Sequence, residues 1–136
     1  MKLHASNLSH LNTVTALAAE YVDINRVRYG HSIIVAPEGP VQSWPVSDFA
    51  QLSADDFANL LPLQPEIVLL GTGSTQRFVH PRLTQALQQQ RIGVESMDTA
   101  AACRTYNILM AEGRKVVAAL IIDQRLNQRL GTVYRA

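Results

Sequence analysis

The sequence predicts an α/β fold: a single three-layer domain with a mixed central sheet. Residues 67–70 and 116–122 are uninterrupted apolar runs, which are typical of strands covered on both faces. Helical patterns at 81–90 and 99–111 alternate with these strands, so that residues 66–122 indicate a β-α-β-α-β unit. Strand-like segments with turn residues between them come earlier in the chain, and they predict an antiparallel β meander in front of that unit.

Length and composition suit one domain with one core. The chain has 136 residues, of which 47% are hydrophobic, so we expect a single domain over 1–136, with loosely ordered ends at 1–11 and 124–136. The formal charge is +1, from 12 basic and 11 acidic side chains, and the basic ones do not cluster. A duplex binder needs roughly six to ten phosphate contacts. We therefore expect no nucleic-acid partner.

The sequence also bears on the compartment. Cys103 is the one cysteine, which excludes an internal disulfide and fits a reducing environment. No run approaches the roughly 20 apolar residues of a membrane helix, so direct membrane insertion is not expected. The N-terminus lacks the pattern of a signal or transit peptide. We expect a cytoplasmic protein.

The N-terminal third predicts short strands. Asn25 and Arg26 form a plausible two-residue hairpin turn, in which Asn tolerates a positive φ. Residues 12–16 favour a strand through β-branching, although 16–20 would also suit a helix. The expected strands are 12–16, Tyr21–Ile24, Val27–Tyr29 continuing through 31–36, and 41–44.

The remaining elements follow from caps and periodicity. Ser53 and Asp56 match a capping box that opens a helix to about residue 60. Leu83 and Leu87 share the buried side of the helix at 81–90. Gly93 either stops that helix or begins the strand at 94–97. Asp98 or Thr99 caps the helix to about residue 111, and Gly113 is its left-handed stop.

Two polar junctions follow apolar strands, at residues 71–74 and 95–99. Crossover connections send both junctions to the carboxyl end of the sheet, where ligands bind in α/β folds. We therefore predict that they meet and form the main polar crevice. Glu95 is predicted to point into it and to accept hydrogen bonds from the backbone amides of Gly71, Thr72 and Gly73.

A nucleotide site is the sharper alternative at these junctions. Gly71 and Gly73 follow a strand, and Glu95 lies near the position of a ribose-binding acid. However, the third glycine position is Gln76, and a loop runs to residue 80 before the helix begins. Because pyrophosphate needs helix N-terminal amides directly after the glycines, a structural glycine turn is favoured. Asp98 or Thr99 likewise suits a helix cap better than a general base.

Catalytic and metal sites find little support. Cys103 lies in an Ala-rich helix with no matching histidine pattern, which predicts a buried, unreactive thiol. The four histidines lack metal-ligand spacing, so neither a metal nor a cofactor is predicted. Asn107 within a helix favours a bond to a neighbouring loop over catalysis. Trp44 is expected to pack in the core.

Several motifs occur in an order that resembles one family. They are Leu69-Leu70-Gly71-Thr72-Gly73, Gly93-Val94-Glu95-Ser96-Met97-Asp98-Thr99, Thr105-Tyr106-Asn107, Glu112-Gly113-Arg114 and Val117-Ala118-Ala119-Leu120. Over about 14–122 the chain resembles the small domain family of unassigned function that includes the mitochondrial respiratory complex I assembly factor three and bacterial and archaeal relatives.

The resemblance implies a three-layer α/β fold with a mixed central sheet and no established catalytic residues. It leaves room for an antiparallel last central strand, whereas crossover geometry favours a parallel one. It implies a protein partner, such as a subunit of a membrane complex during assembly. Without a transit peptide, the chain resembles a bacterial member.

Two functions remain open at this point. The first is a non-enzymatic binding or assembly-factor-like module, which the resemblance favours. The second is a binder of a small molecule, such as a nucleotide or anion, or an enzyme, using the crevice. The candidate crevice residues are Gly71, Thr72, Gly73, Ser74, Arg77, Glu95, Asp98, Thr99, Thr105 and Asn107.

Overall fold

The computed structural model describes residues 10–122, in which eight strands form two sheets. The strands are β1 Val14–Ala18, β2 Tyr21–Ile24, β3 Val27–Tyr29, β4 Ile33–Val35, β5 Gln42–Ser43, β6 Ile67–Gly71, β7 Gly93–Met97 and β8 Val116–Leu120. The helices are α1 Ala54–Ala58, α2 Gln85–Gln89 and α3 Thr99–Ala111. Apart from residues 10 and 11, the ends predicted to be loosely ordered lie outside the described residues.

The larger sheet is mixed and has the order β5-β4-β8-β6-β7. β6 pairs in parallel with both β7 and β8, whereas β4 pairs antiparallel with β8. β8 is therefore the strand at which the sheet changes direction, and every residue of β8 is buried. The prediction that β6, β7 and β8 share one sheet is confirmed, although β7 lies at its edge rather than at its centre.

The smaller sheet is an antiparallel meander in the order β1-β2-β3. Asn25 and Arg26 have φ values of 51° and 69°, so both turn residues are left-handed, as a tight hairpin turn requires. The prediction of one strand over 27–36 is wrong, because residues 30–32 are not in a strand and the chain passes there from one sheet to the other. Buried Ser32 fixes this break: its hydroxyl accepts a hydrogen bond from the Ile122 N–H at 2.9 Å.

The two faces of the larger sheet are covered by different layers. α3 and the smaller sheet cover one face, where Tyr106 and Leu69 belong to a single buried cluster. α1 and α2 cover the other face, where Trp44 packs edge-on against Phe57 with ring centroids 6.1 Å apart. The predicted three-layer architecture is confirmed.

The helices begin and end for local reasons. Ser53 and Asp56 form the predicted capping box of α1. The helix predicted at 81–90 begins as a 3-10 turn, Pro81–Thr84, and continues as α2. Arg91, with a φ of 62°, follows its end, so Gly93 is not the stop but the first residue of β7. Gly113 follows α3 with a φ of 82°, as predicted.

α3 holds the smaller sheet through two side chains. The Asn107 amide accepts a hydrogen bond from the Val14 N–H and donates one to the Val14 carbonyl, each at 2.9 Å. The Tyr106 hydroxyl donates to the Asn12 carbonyl at 2.7 Å. Tyr106 and Asn107 therefore attach the start of β1 to the helix.

We expect Asn107→Ala to lower the free energy of unfolding by about 1–3 kcal/mol, because it leaves both backbone groups of Val14 without their partner. Amide hydrogen exchange at Val14 should accelerate. Thr105→Ala is the control, since Thr105 lies two residues away and its side chain makes no hydrogen bond within 10–122. A surface change of that kind should stay within about 0.5 kcal/mol. Equal effects of the two changes in denaturant melts would contradict this role of Asn107.

Candidate functional site

The two polar junctions meet at the carboxyl ends of β6 and β7. The Thr72 N–H donates to the Met97 carbonyl, and the Thr99 N–H donates to the Gly73 carbonyl, each at 2.8 Å. Strand register explains the meeting, since Gly71 pairs with Met97 and the two chains leave the sheet side by side.

The Thr99 hydroxyl is at the centre of this junction and is buried. It accepts a hydrogen bond from the Gly73 N–H and donates one to the Ile121 carbonyl, both at 2.9 Å. The Ile121 N–H in turn donates to the Gly71 carbonyl at 2.9 Å. One side chain thus joins the ends of β6 and β8 to the start of α3.

Gly71 is required by close approach rather than by backbone conformation. A Cβ atom at this position would lie 2.9 Å from the Thr99 Oγ1 atom and 3.0 Å from the Thr99 Cα atom. The Leu120 Cδ2 atom would lie at 3.1 Å. A glycine here lets α3 begin directly against the sheet.

Asp98 and Thr72 of the junctions also form internal hydrogen bonds. The Asp98 carboxylate accepts from the Ala101 N–H at 2.8 Å, which makes it the cap of α3. The Thr72 hydroxyl donates to the Thr75 carbonyl at 2.7 Å and accepts from the Arg77 N–H at 3.2 Å. The groups that could have held an anion at the start of α3 are therefore largely engaged by the protein itself.

The prediction for Glu95 is wrong. Its carboxylate accepts no hydrogen bond from residues 71–74, whose amides at Thr72 and Gly73 donate to Met97 and Thr99 instead. Glu95 pairs with Leu69, so it lies two residues before the end of β7, roughly 7 Å from the junction. Its side chain is exposed beside the sheet edge.

Three further predicted positions lie along α3. Asn107 bonds to β1 as described above, and Thr105 lies more than one helical turn beyond Thr99, so neither residue lines the junction. Cys103 is buried with 1% of its surface exposed, as predicted. Burial raises the pKa of its thiol to about 12, so the reactive thiolate is scarce at neutral pH.

Small cavities lie on either side of Gly73. One, of about 140 Å³, is lined by Asp48, Phe49, Thr72, Ser74 and Arg77 among others. The other, of about 250 Å³, is lined by Leu17, Ala19, Asp98, Thr99 and Ala100 among others. The junction thus separates two shallow spaces rather than enclosing one deep crevice.

Asp48 is a candidate that sequence reasoning missed. Its Oδ1 atom is buried and has no hydrogen-bond partner among residues 10–122. The Arg77 guanidinium lies 5.6 Å from the centre of the Phe49 ring, and Arg77 lines the same cavity. An Asp before a short helix indicates a cap, yet its side chain caps nothing here, so no local signal identifies it.

A larger cavity, of about 390 Å³, lies at the opposite end of the sheet, between Leu11, Leu63 and Met110. Arg114, one of the cations that line it, is paired, since its Nε atom donates to the Glu66 carboxylate at 2.8 Å. This hydrogen bond lowers the pKa of Glu66. The pair connects the end of α3 to the start of β6.

Residues 10–122 contain no group of three or more His, Cys, Asp or Glu side chains that could hold a metal ion. Nor does any helix in that range have the length and hydropathy needed to cross a membrane.

Comparison with known proteins gives a consistent set of relatives. A family model described as "Protein of unknown function (DUF498/DUF598)" matches residues 14–121. The mouse protein named NADH dehydrogenase (ubiquinone) 1 alpha subcomplex assembly factor 3 is 40% identical over 99 residues, which cover 71% of this chain and 52% of the relative. The chain thus spans about half the length of the curated relatives that it matches first.

Solved structures share the fold. A crystal structure of a Bordetella parapertussis protein is 50% identical with a TM-score of 0.81, over 85% of this chain and 98% of that one. A solution structure from Bordetella pertussis, described as an Mth938-like domain, is 42% identical with a TM-score of 0.76, over 85% and 88% of the two chains.

We expect Gly71→Ala to destabilise the protein by about 1–3 kcal/mol, because the new methyl group overlaps the Thr99 backbone and hydroxyl. Gly93→Ala is a matched control in the neighbouring strand: a Cβ there meets nothing within 4 Å. It should leave stability unchanged or raise it by up to about 1 kcal/mol. Denaturant melts measure both. Gly71→Ala as stable as Gly93→Ala would contradict the close packing of α3 on β6.

Proposed function

The chain belongs to the DUF498/DUF598 family of proteins of unknown function, and we propose that it acts there as a non-enzymatic, assembly-factor-like module that binds another protein. The mouse relative's name supports this proposal, because it states a role in the assembly of NADH dehydrogenase. The corresponding partner here is a subunit of a membrane complex during its assembly. A cytoplasmic location in a bacterium is part of the same proposal.

The observation that carries the proposal is the exposure of Phe78. This side chain is 83% exposed, on the loop that leads from the junction to α2. Burying a phenylalanine stabilises a complex by about 1.5–3 kcal/mol, and aromatic residues are frequent anchors of protein interfaces. The same loop reaches β7, since the Gln76 amide donates to the Ser96 carbonyl at 3.4 Å. Phe78 therefore lies close to an open edge of the sheet.

The state of the polar groups supports a binding role over catalysis. Thr72, Asp98 and Thr99 make the hydrogen bonds that hold the junction together. The Cys103 thiol, with its pKa raised to about 12 by burial, is a poor nucleophile. The side chains that could react are thus structural.

A second candidate function is binding of a small polar molecule in the cavity between Asp48 and Arg77. The buried, unpartnered Asp48 Oδ1 atom favours it, because a ligand with an N–H or O–H donor would satisfy this oxygen. Arg77, which also lines the cavity, offers a cation for an anionic group of the ligand. At about 140 Å³ the cavity is smaller than usual ligand pockets, so the ligand of this candidate is a small polar molecule.

For the binding module, we expect Phe78→Ala to reduce recovery of the partner at least tenfold in affinity capture from native lysate that includes membranes. Each factor of ten corresponds to about 1.4 kcal/mol. Val27→Ala is the control, since Val27 is 55% exposed and lies in the smaller sheet, which forms no strand pairing with β7. Both variants should melt like the wild type. A wild-type chain that enriches no protein, or a partner recovered equally by both variants, would contradict the proposal.

For the second candidate, we expect Asp48→Asn to raise the stability of the free chain and to abolish any ligand-induced thermal shift. A neutral amide costs less to bury without a partner than a carboxylate does, and its oxygen is a weaker acceptor for the ligand because it carries no charge. A ligand at 100 times its Kd adds about 2.7 kcal/mol to wild-type stability. Asp55→Asn, at an exposed carboxylate, is the control. If a metabolite screen gives no shift with wild type, or an equal shift with Asp48→Asn, this candidate is wrong.

A further inference from the structure

The outer edge of β7 presents the backbone of Val94 and Ser96. The N–H and C=O of one strand residue point to the same side, and successive residues alternate. The Met97 carbonyl faces β6, because it accepts from the Thr72 N–H. Residues 93, 95 and 97 therefore bond towards β6, whereas Val94 and Ser96 face away from it. The Ser96 carbonyl is reached from that outer side by the Gln76 amide.

Among the described strands β7 pairs only with β6, so its outer row of backbone groups faces no neighbouring strand. The opposite edge of the same sheet is different. β5 has two residues and lies between Pro40 and Pro45, which limit strand addition because proline lacks an N–H. β7 has five residues and no proline. The larger sheet thus has one edge suited to strand addition.

We propose that this edge binds an extended segment of a partner protein as an additional antiparallel strand, with a lysine or arginine opposite Glu95. The proposal rests on the protein-binding function above and names the kind of partner. Strand addition obtains its affinity from backbone hydrogen bonds and its specificity from alternate side chains. Here Val94 and Ser96 supply the hydrogen bonds, with the Ser96 carbonyl exchanging the Gln76 amide for the partner's N–H, and Glu95 supplies the specificity.

Glu95 selects the charge of that partner. Its carboxylate is exposed and has no ion pair or hydrogen bond within residues 10–122. Because Val94 and Ser96 would form hydrogen-bonded pairs, Glu95 would lie in the non-hydrogen-bonded pair between them. Cα atoms in such a pair are only about 4.5 Å apart, so the facing side chains interact closely. A basic residue there is favoured, and an acidic one is disfavoured.

The same carboxylate argues against a second copy of this chain as the occupant. An antiparallel pairing of two β7 strands centred on Glu95 would place Glu95 directly opposite its own copy, and like charges in that position are destabilising. Charged residues on strand edges prevent such self-association. A partner with a basic side chain opposite Glu95 would instead form a favourable charge pair with it.

Apolar side chains flank the charge on both faces of β7. Met97 is half-buried on the face that carries α3, and Val94 is half-buried on the face that carries α2. Phe78 follows Gln76 by two residues, so it lies within about 7 Å of the residue that contacts Ser96. The partner segment therefore alternates a basic residue with apolar ones and ends near Phe78.

The test is a titration of the isotope-labelled chain with a synthetic extended peptide, followed by NMR. The probe carries Ile, Thr, Lys, Val and Thr in that order, with its Lys placed to face Glu95, and blocked ends. A second peptide has Glu in place of the Lys. We expect saturable shifts at the Val94 and Ser96 amides, slower exchange of both, and at least tenfold weaker binding of the Glu peptide.

Variants separate the backbone contribution from the charge. Ser96→Pro removes an N–H that faces away from β6, so it should abolish binding without removing a bond of the sheet. Ser96→Ala keeps that N–H and should bind as the wild type does. Glu95→Lys should reverse the preference, so that the Glu peptide binds more tightly. If Ser96→Pro fails to fold, the charge reversal still decides.

Several outcomes would overturn the proposal: no saturable shift, shifts away from β7, or equal binding of the two peptides by wild type. Shifts at 94–96 that depend on the concentration of the chain alone would make a second copy the occupant. Capture from lysate distinguishes the two levels. Equal partner recovery by Ser96→Pro and Ser96→Ala leaves the binding function standing and rejects this edge, whereas no partner for wild type rejects the function itself.

Discussion

The hydrogen bonds of the Thr99 hydroxyl fix the start of α3 against the ends of β6 and β8. This single group accepts from the Gly73 N–H and donates to the Ile121 carbonyl, so it joins the turn after β6 to the residue after β8. Its position requires Gly71 to lack a side chain. With its first turn fixed there, α3 carries Asn107 to the start of β1 and holds the smaller sheet over the larger one.

The junction at 71–74 and 95–99 has the residue types of a ligand-binding crevice, but this arrangement gives its polar groups a structural role. Polar residues at the carboxyl ends of parallel strands usually contact ligands. Here the amides of Thr72 and Gly73 and the side chains of Asp98 and Thr99 bond to each other's segments. Asp48 and Arg77 in one cavity, and Glu95 beside the sheet edge, have side chains that make no hydrogen bond to another side chain or backbone group of residues 10–122. The second candidate function depends on Asp48 and Arg77, and the proposed strand addition depends on Glu95.

The sequence predicted those features that depend on neighbouring residues. The hairpin at Asn25, the capping box at Ser53 and the left-handed Gly113 are local, and all were confirmed. The apolar runs predicted β6 and β8, because strands covered on both faces need no alternation. The family resemblance and the order of elements predicted the three layers.

The features that the sequence did not predict depend on pairing between distant segments. Glu95 misses the junction because β7 pairs with β6 in a register that places it opposite Leu69, and no local pattern sets that register. The break at Ser32 depends on a hydrogen bond to Ile122, 90 residues away. Asp48 joins Arg77 only through the folding of the loop between β5 and α1. The position of Asn107 within a helix predicts a bond to another segment, but the sequence does not indicate that its partner is Val14 in β1.

The path of the chain through the larger sheet accounts for both the joint and the open edge. From β6 the chain moves outward to β7 and then returns past β6 to β8. Because both crossovers are parallel and run in opposite directions, right-handed connection places α2 on one face and α3 on the other. The return crossover brings the start of α3 over the end of β6, where Gly71 and Thr99 meet. The same reversal leaves β7 as the edge strand of the sheet, with the backbone groups of Val94 and Ser96 facing outward. The return crossover from β7 to β8 thus produces both the Gly71–Thr99 contact and the open edge of β7. A substitution that loosens this contact should therefore also shift the edge that we propose as the binding surface.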